Sequence, residues 1–259
     1  SSHCLNNWVG ICLQDSNNNT VENNVAASCE KGISLYEADY NSVRGNTVPS
    51  NLYGIRFYSS HFNEVFHNNL IENTEQVDLI SSYLNVWNNS FEGNYWSDYN
   101  GTDVDHDGIG DAPYIIDANN EDHHPLLGVF HSFNASGYCV SVISNSTIED
   151  FGYFESNGTI RIRVSNSSMI QTFGFCTVCI PKDLMSPTYT VIIDDGTTEV
   201  LNFNDNLRDN GTHRWIYFAY EHSTREILIV PEFWSVVFLS ILIVATIWCF
   251  LLKRLELNI

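Results

Sequence analysis

The sequence predicts an all-β protein: a β-solenoid over residues 1–96, a β-sandwich over 130–230, and one C-terminal transmembrane helix. Three observations predict it. A 22-residue repeat starts at Gly10, Gly32 and Gly54, short β-rich runs separated by turn residues fill the second half, and Phe233 to Leu252 carries no charge. An Asp-rich segment, 97–129, joins the two β regions, and 231–259 form the anchor with its short basic tail.

The repeats read GICLQDSNNNTV, GISLYEADYNSV and GIRFYSSHFNEV, followed by a decayed copy, QVDLISSYLNV, from Gln76. In register they give the columns Ile11/Ile33/Ile55/Val77, Leu13/Leu35/Phe57/Leu79, Ser16/Ala38/Ser60/Ser82 and Asn19/Asn41/Asn63/Asn85. Self-similarity at this period is the signature of a solenoid. Apolar residues alternate with others, as in Ile33-Ser34-Leu35, so each copy is a coil of short strands. Cys12, Ser34, Arg56 and Asp78 then face outward. A further apolar column, Val21/Val43/Val65, precedes a second amide column, Asn24/Asn46/Asn68. Asn at the bends is expected to take left-handed backbone and to stack its amide on the next coil at the ~4.8 Å strand spacing. Amides repeated in every coil are expected to be structural rather than ligand sites.

These repeats, with the turn signature N-S-V-x-x-N at Asn41 to Asn46, resemble those of the NosD-like and carbohydrate-associated families. The resemblance implies a right-handed parallel β-helix over about the first third of the chain. It does not fix function, because that scaffold carries lyases, hydrolases, adhesins and inert stalks alike. Ser1 stands where an initiator Met would, and Asn7-Trp8-Val9-Gly10 parallels Asn51-Leu52-Tyr53-Gly54. Further coils and a signal peptide are therefore expected upstream. Without a cap the first coil would present an open strand edge.

The net charge is −20, yet charged residues make up only 16% and Lys plus Arg number 11, so scarcity of bases contributes as much as abundance of acids. Nothing here could neutralise a run of phosphates, which excludes nucleic acid as a partner. A cation-rich exterior or divalent ions match the balance better. Seven cysteines at irregular spacing form no disulfide framework, and an odd number leaves one unpaired, with Cys249 of the apolar terminal stretch the odd one.

After the fourth coil, Asn88 to Tyr99 breaks the register and clusters aromatic residues. They either plug the solenoid end as a hydrophobic cap or form a sugar-stacking platform from Tyr95, Trp96 and Tyr99. Next comes Asp103-Val104-Asp105-His106-Asp107-Gly108-Ile109-Gly110-Asp111. Calcium takes about six to eight oxygens, and this spacing offers Asp103, Asp105, Asp107, the Ile109 carbonyl and Asp111, with Gly108 making the turn. Tyr114 stands where an EF-hand has its bidentate Glu, and Pro113 argues against flanking helices. Asp117 or Asp122 is a candidate to complete the shell; the alternative is a solvated acidic loop. His123 and His124 with Asp122 could take a transition metal, but adjacent residues of an extended chain point apart, which favours a solvated pair. The stretch from Gly93 to Leu126 resembles the module that ends NosD-like β-helices in archaeal surface proteins, which implies an extracytoplasmic, calcium-bearing joint.

In the second half, strands are expected at Tyr138 to Ile143, Thr159 to Val164, Gly174 to Ile180, Tyr189 to Ile193, Trp215 to Tyr220 and Glu226 to Val230. Asp194-Asp195-Gly196 reads as a hairpin turn from Tyr189–Ile193 into Thr198-Glu199-Val200. GFCTVCIPKDL, WIYFAYEHST and the closing VPEF resemble the membrane-proximal domain of the same surface proteins. Cys176 and Cys179 sit at odd spacing on a strand, so they face opposite sides and form no zinc pair. Sequons at Asn18, Asn88, Asn100, Asn134, Asn145, Asn157, Asn166 and Asn210 favour a glycosylated exterior.

The apolar stretch Phe233 to Leu252 is long enough to span a bilayer core of ~30 Å. Lys253 and Arg254 behind it place the C-terminus inside and the bulk of the chain outside the cell. Pro231-Glu232-Phe233 with the basic pair is similar to PEF-type archaeal sorting signals, which implies cleavage and lipid transfer, although Trp234 departs from their pattern.

Three functions fit to different degrees. The first is a membrane-anchored, calcium-stabilised envelope module, structural or binding a polysaccharide or surface protein. The second is a polysaccharide lyase, hydrolase or epimerase, which needs a base and charge neutralisation. The coils offer only Lys31, Arg44 and Arg56 for this, with Asp15 and Glu37 sharing a column. The third is copper handling, as in NosD, for which Met169, Met185, His61 and His67 form no cluster in the sequence. The first accommodates every segment and is the expectation, with no catalytic residue assigned.

Overall fold

A computed structural model describes residues 3–168, 171–221 and 223–232. The expected membrane span 233–252, with Cys249, lies outside the described residues, as does Met169. Among the described residues no helix is long and apolar enough to cross a membrane.

The repeat builds three strands per coil. β1 (His3–Leu5), β2 (Val9–Gln14) and β3 (Thr20–Glu22) form the first coil; β4 (Val25–Ala27), β5 (Lys31–Tyr36) and β6 (Ser42–Arg44) form the second. β7 (Thr47–Pro49), β8 (Tyr53–Tyr58) and β9 (Glu64–Phe66) make the third, and β10 (Asn69–Ile71) with β11 (Glu75–Ile80) the fourth. β12 (Tyr95–Trp96) then lies on β10. Like strands stack in parallel with the register of the repeat: Ile11 on Ile33 on Ile55 on Val77, and Val21 on Val43 on Val65. The chain is thus a β-solenoid of about four turns, with Ile33, Leu35, Val43, Ile55, Phe57 and Val65 fully buried on its axis. Outside, Tyr36 stacks on Tyr58 at 4.8 Å and Tyr40 on Phe62 at 5.0 Å, so the strand spacing sets the ring spacing.

The amide ladders form at the bends. Asn41 Oδ1 accepts the Asn19 N–H at 2.8 Å, Asn63 Oδ1 that of Asn41 at 2.8 Å, and Asn85 Oδ1 that of Asn63 at 2.9 Å. The second ladder runs Asn24, Asn46, Asn68 and on to Asn94, each step at 3.1 Å. A third, unforeseen ladder joins Cys29 to Asn51 at 2.8 Å and Asn51 to Asn73 at 2.9 Å. The left-handed residues are not the ladder amides themselves, as the sequence suggested, but those just before them. They include Asn18, Tyr40, Phe62 and Leu84; Asn23, Gly45 and His67; and Ser28, Ser50 and Glu72, while Asp15, Glu37, Ser59 and Ser81 make a like column before Ser16, Ala38, Ser60 and Ser82. The chain turns at that residue and leaves the next side chain to bridge coils. A Cβ there costs about 1–2 kcal/mol, which the bridging hydrogen bonds offset.

Asn63 is fully buried and serves both directions. Its Oδ1 accepts from the Asn41 N–H and Nδ2, and its own Nδ2 donates to the Ala38 carbonyl and Asn85 Oδ1. Asn63→Ala leaves the Asn41 donors and the Ala38 carbonyl without those partners. At roughly 1–3 kcal/mol for a buried unsatisfied group, partly relieved by relaxation, it is expected to cost about 2–4 kcal/mol. Urea unfolding checks this, and a loss under about 1 kcal/mol would show that the ladder is decoration.

Beyond the solenoid, β13 (Tyr114–Asp117) and β14 (Asn120–Asp122) make a small antiparallel hairpin. Nine strands follow: β15 (Val129–Ala135), β16 (Tyr138–Ser144), β17 (Thr147–Phe154), β18 (Thr159–Ser165), β19 (Phe173–Pro181), β20 (Tyr189–Ile193), β21 (Leu201–Asp209), β22 (His213–Glu221) and β23 (Arg225–Pro231). They form one antiparallel sheet in the order β15-β16-β19-β22-β21 and another in the order β17-β18-β23-β20. Val142, Val178 and Phe218 of the first sheet and Ile162, Val164 and Ile227 of the second share one buried cluster. Cys176 belongs to that cluster, whereas Cys179 lies outside it, as their odd spacing requires.

The hairpin expected at Asp194-Asp195-Gly196 does not form. β20 pairs with β23, and only a single bridge, Ile193 to Thr198, continues beyond the turn. The Asp194 carboxylate instead accepts from the Arg225 guanidinium at 2.8 Å and from the Glu226 N–H at 2.9 Å, so it fixes the start of β23.

Candidate functional site

The solenoid's C-terminal end is closed by buried aromatic residues. Trp87 and Trp96 are 2% and 1% exposed, and Tyr114 of β13 stacks on Trp96 at 4.2 Å. A ring so enclosed cannot serve a sugar, so the platform of Tyr95, Trp96 and Tyr99 gives way to the cap. Asp122 is the polar centre of that cap. It is fully buried and accepts from the Asn94 N–H at 2.8 Å, the Trp96 indole N–H at 3.0 Å and the His124 N–H at 3.0 Å. Gly93 lies so close that a Cβ there would come within 2.0 Å of its Oδ1. Burial raises the Asp122 pKa, against the pull of these donors.

Asp122 is therefore not a spare ligand for the Asp-rich loop, and neither is Asp117, whose Oδ1 accepts from the Asn119 N–H at 2.7 Å and from Asn120 Nδ2 at 2.9 Å. The loop itself brings Asp103, Asp105 and Asp107 together: one carboxylate oxygen from each lies within 4.8 Å of the others. Local hydrogen bonds shape it. Asp103 accepts the N–H groups of Asp107 and Gly108, each at 3.0 Å, and Asp107 accepts that of Ile109 at 2.7 Å. Gly108 takes φ +86, the turn that its position predicted. Asp111 faces back along the loop, where its Oδ2 accepts from the Val104 N–H at 2.9 Å and the Thr102 hydroxyl at 3.2 Å. Ile109 pairs with Leu126 in an antiparallel bridge. Burial raises the carboxyl of Asp103, and burial with the charges of Asp105, Asp103 and Asp111 pushes that of Asp107 up to about 6.

The loop leans on the second half of the chain. The Thr177 hydroxyl of β19 donates to the Asp107 carbonyl at 2.7 Å, and His106 stacks over Tyr217 of β22. A second link escaped the sequence reading. Glu92 is 6% exposed; its Oε2 lies 2.8 Å from His67 Nε2, and its Oε1 accepts from the Trp215 indole N–H at 2.8 Å. Burial opposes the Glu92 charge, but His67, Trp215 and the Arg208 guanidinium hold its carboxyl below the usual range. Beside it His67 stacks on Phe130 at 4.0 Å, and the Asn69 amide exchanges hydrogen bonds with the Phe130 backbone at 2.8 and 2.9 Å. Two cavities flank the acidic loop at this joint. One, of about 270 Å³, is lined by Glu92, Asp107, Arg208 and Trp215. The other is a cleft of about 760 Å³ between Asp103 and His106 on one side and β19, β21 and β22 on the other.

Among the described residues the trio Asp103, Asp105 and Asp107 is the one group of three or more His, Cys, Asp or Glu side chains placed to share an ion. His123 is exposed and pairs with Glu121 at 3.2 Å. The basic side chains of the coils each sit against a carboxylate: Arg44 with Glu22 at 2.9 Å, Arg56 with Asp78 at 2.9 Å and Lys31 with Glu30 at 3.8 Å.

Residues 2–101 match the family model described as periplasmic copper-binding protein (NosD). The match covers the solenoid and ends before the Asp-rich loop. The solenoid is thus a NosD-like parallel β-helix. No curated protein and no solved structure matches the chain.

Proposed function

We propose that the chain is a calcium-stabilised module of the cell envelope, structural or glycan-binding, in which the ion stiffens the joint between the β-helix and a β-sandwich stalk. One observation carries it: three carboxylates converge on a loop that is itself pinned to β19 through Thr177. Hard oxygen donors at this spacing suit calcium rather than a softer metal. Asp103, Asp105 and Asp107 would hold it, and the ion would supply the positive charge that their mutual repulsion calls for. The Ile109 carbonyl and Asp111, through water, are the remaining donors the loop offers. The apolar stretch after Pro231, with Lys253 and Arg254, anchors the module with its bulk outside the cell. Envelope polysaccharide or another surface protein is the partner this placement provides.

The calcium test includes a pH arm. The Asp107 carboxyl has its folded pKa raised, so its contribution to stability is present below about 3.8 and is lost as pH rises through about 6. Calcium needs the deprotonated form, so it restores at neutral pH what ionisation removes. Calcium is expected to raise the melting temperature by about 5–10 °C at a hundredfold excess over Kd. The rise should be larger at pH 7.5 than at pH 5. Asp105→Ala with Asp107→Ala should lower melting in calcium but not in chelator. Equal melting of wild type and variant in calcium would sink the calcium reading.

Copper, suggested by the family's description, finds no cluster of three or more His or Cys side chains among the described residues. His61 Nδ1 accepts the Tyr83 N–H at 3.1 Å, His67 Nε2 is held by Glu92, and Met185 is buried in the core of the second half. The lyase reading has less support for a related reason: a base that abstracts a proton must be free to take it, and Lys31, Arg44 and Arg56 are each engaged by a carboxylate.

A further inference from the structure

We propose that the solenoid turn following β2, β5, β8 and β11 is a docking surface for a basic protein segment, one that carries apolar side chains between its Lys and Arg residues. The inference deepens the envelope reading by naming the partner's chemistry, and it is independent of calcium, because no residue of the Asp-rich loop belongs to the surface. The turn is apolar and exposed. Tyr40, Phe62 and Leu84 occupy one column and are 57%, 43% and 68% exposed, and Tyr83 beside them is 58% exposed. Tyr36 and Tyr58, each 39% exposed, stack as a second column at the start of the turn. Large apolar side chains left in water on consecutive coils mark an interaction site.

The fold does not require these side chains. The column Asn18/Tyr40/Phe62/Leu84 is left-handed throughout, with φ of 59°, 56°, 56° and 60°. Asn takes that backbone readily, and the first coil uses it, whereas Tyr, Phe and Leu adopt it only against their preference. The stack of Tyr40 on Phe62 at 5.0 Å recovers part of that cost, but Leu84 has no such ring of its own and is the most exposed of the three. Bulky side chains held in a disfavoured backbone and outside the core point to function.

The chemistry of the turn selects the partner. Asp15, Glu37 and Asp39 stand in it, and among the described residues none of them forms an ion pair, whereas Glu22, Glu30 and Asp78 of the same coils each hold a base. The charge of Glu37, and less so that of Asp15, raises the Tyr36 hydroxyl, which puts both carboxylates beside the rings. An apolar ridge rimmed by carboxylates suits a partner with apolar side chains at its centre and Lys or Arg at its edge. A second copy of the chain would bring the same carboxylates and a net charge of −20, so the two would repel. A sugar lies on the free face of a ring, but the faces here are turned to one another. Tyr36 and Tyr58 are 4.8 Å apart and 2° from parallel, and Tyr40 and Phe62 are 5.0 Å apart and 5° from parallel. What remains outward is ring edges and the aliphatic Leu84, which pack against protein side chains.

The test is fluorescence anisotropy of short labelled peptides with the 259-residue chain in a non-ionic detergent. One peptide alternates Lys with Leu, a second Lys with Ser and a third Glu with Leu. The Lys-Leu peptide should bind about tenfold tighter than either control. Tyr40→Asn with Phe62→Asn and Leu84→Asn should weaken it about tenfold, while melting stays close to that of the wild type, since Asn18 already fills this position in the first coil. Asp15→Asn with Glu37→Gln should weaken it about fivefold and flatten its salt dependence. Equal binding to wild type and the triple variant would mean that net charge alone holds the peptide and would overturn the surface, as would no binding or no preference over the Lys-Ser peptide. Cellohexaose binding that the triple variant loses would reassign the turn to a glycan, and a dimer in sedimentation that it loses would reassign it to a second copy; either overturns the proposal. A fall in melting of more than about 10 °C in the triple variant would make these side chains part of the fold and overturn it too.

Discussion

Asp122→Ala is expected to cost about 3 kcal/mol or more, because it strands several buried N–H donors at roughly 1–3 kcal/mol each, partly relieved by relaxation. The side chain is fully enclosed, and its two oxygens collect the N–H groups of Asn94 and Trp96 from the end of the solenoid and that of His124 from beyond the β13–β14 hairpin. Truncation leaves those donors facing a cavity with little room to relax, since Gly93 already abuts the carboxylate. The damage should start at the solenoid's end: Asn94 is the last rung of the second ladder, and its side chain also bonds the Val65 and Trp87 carbonyls at 2.9 and 2.8 Å. Asp122→Asn should be nearly as severe, because one of its two ends would present N–H to N–H. Urea unfolding followed by tryptophan fluorescence measures both, with Trp87 and Trp96 as reporters of the cap. A cost below about 1 kcal/mol for Asp122→Ala would mean that the apolar cap alone closes the solenoid.

What was legible in the sequence was what repeats. The columns Ile33/Ile55 and Leu35/Phe57 are on the axis because a fixed period forces each copy into the same place on its coil. The third ladder escaped because its first rung is Cys29, which contributes only a backbone N–H, so no amide column starts there. The left-handed turns were assigned to the Asn rungs on residue type. The structure puts them one residue earlier, at Tyr40 and Phe62 among others, where repetition of the coil outweighs local preference. In the second half the three strands not foreseen, β15, β17 and β21, are all edge strands. Stretches such as Leu201–Asp209 carry Asn, Asp and Arg, the composition that keeps an edge from pairing further and that hides alternation from view.

The acidic loop shows the same boundary. A D-x-D-x-D-G spacing brings Asp103, Asp105 and Asp107 together because a tight turn is a local event. Which distant carboxylates join it is not local: Asp117 and Asp122 look like spare ligands in the sequence and prove to be fixtures of the β13–β14 hairpin and the cap. Glu92 gave no signal at all. It stands in an Asn-rich run, and its partners His67 and Trp215 are 25 and 123 residues away.

That separation makes Glu92 the residue on which coupling between the two halves turns. Glu92→Ala is expected to cost about 3 kcal/mol, because it strands a half-buried indole N–H and removes the counter-charge of Arg208 and the partner of His67. The more telling effect is on cooperativity. With Glu92 in place, Arg208 lies over Phe91 and Trp215 at 3.1 and 4.5 Å, and strand β22 is tied to the solenoid's last coil. Calorimetry should therefore show the solenoid and the antiparallel sheets melting together in the wild type and in two steps in the variant. Acid should mimic the substitution. The folded pKa of Glu92 is depressed, so its contribution is present above the ordinary value of 4.5 and is lost as pH falls below that through the folded pKa. Glu92→Gln, which can still accept from Trp215, should retain more of the coupling than Ala and respond less to acid. A single melting step in Glu92→Ala would assign the coupling to the Asn69–Phe130 pair and the Thr177–Asp107 contact instead. Asn69→Ala would then be the variant that separates the two halves.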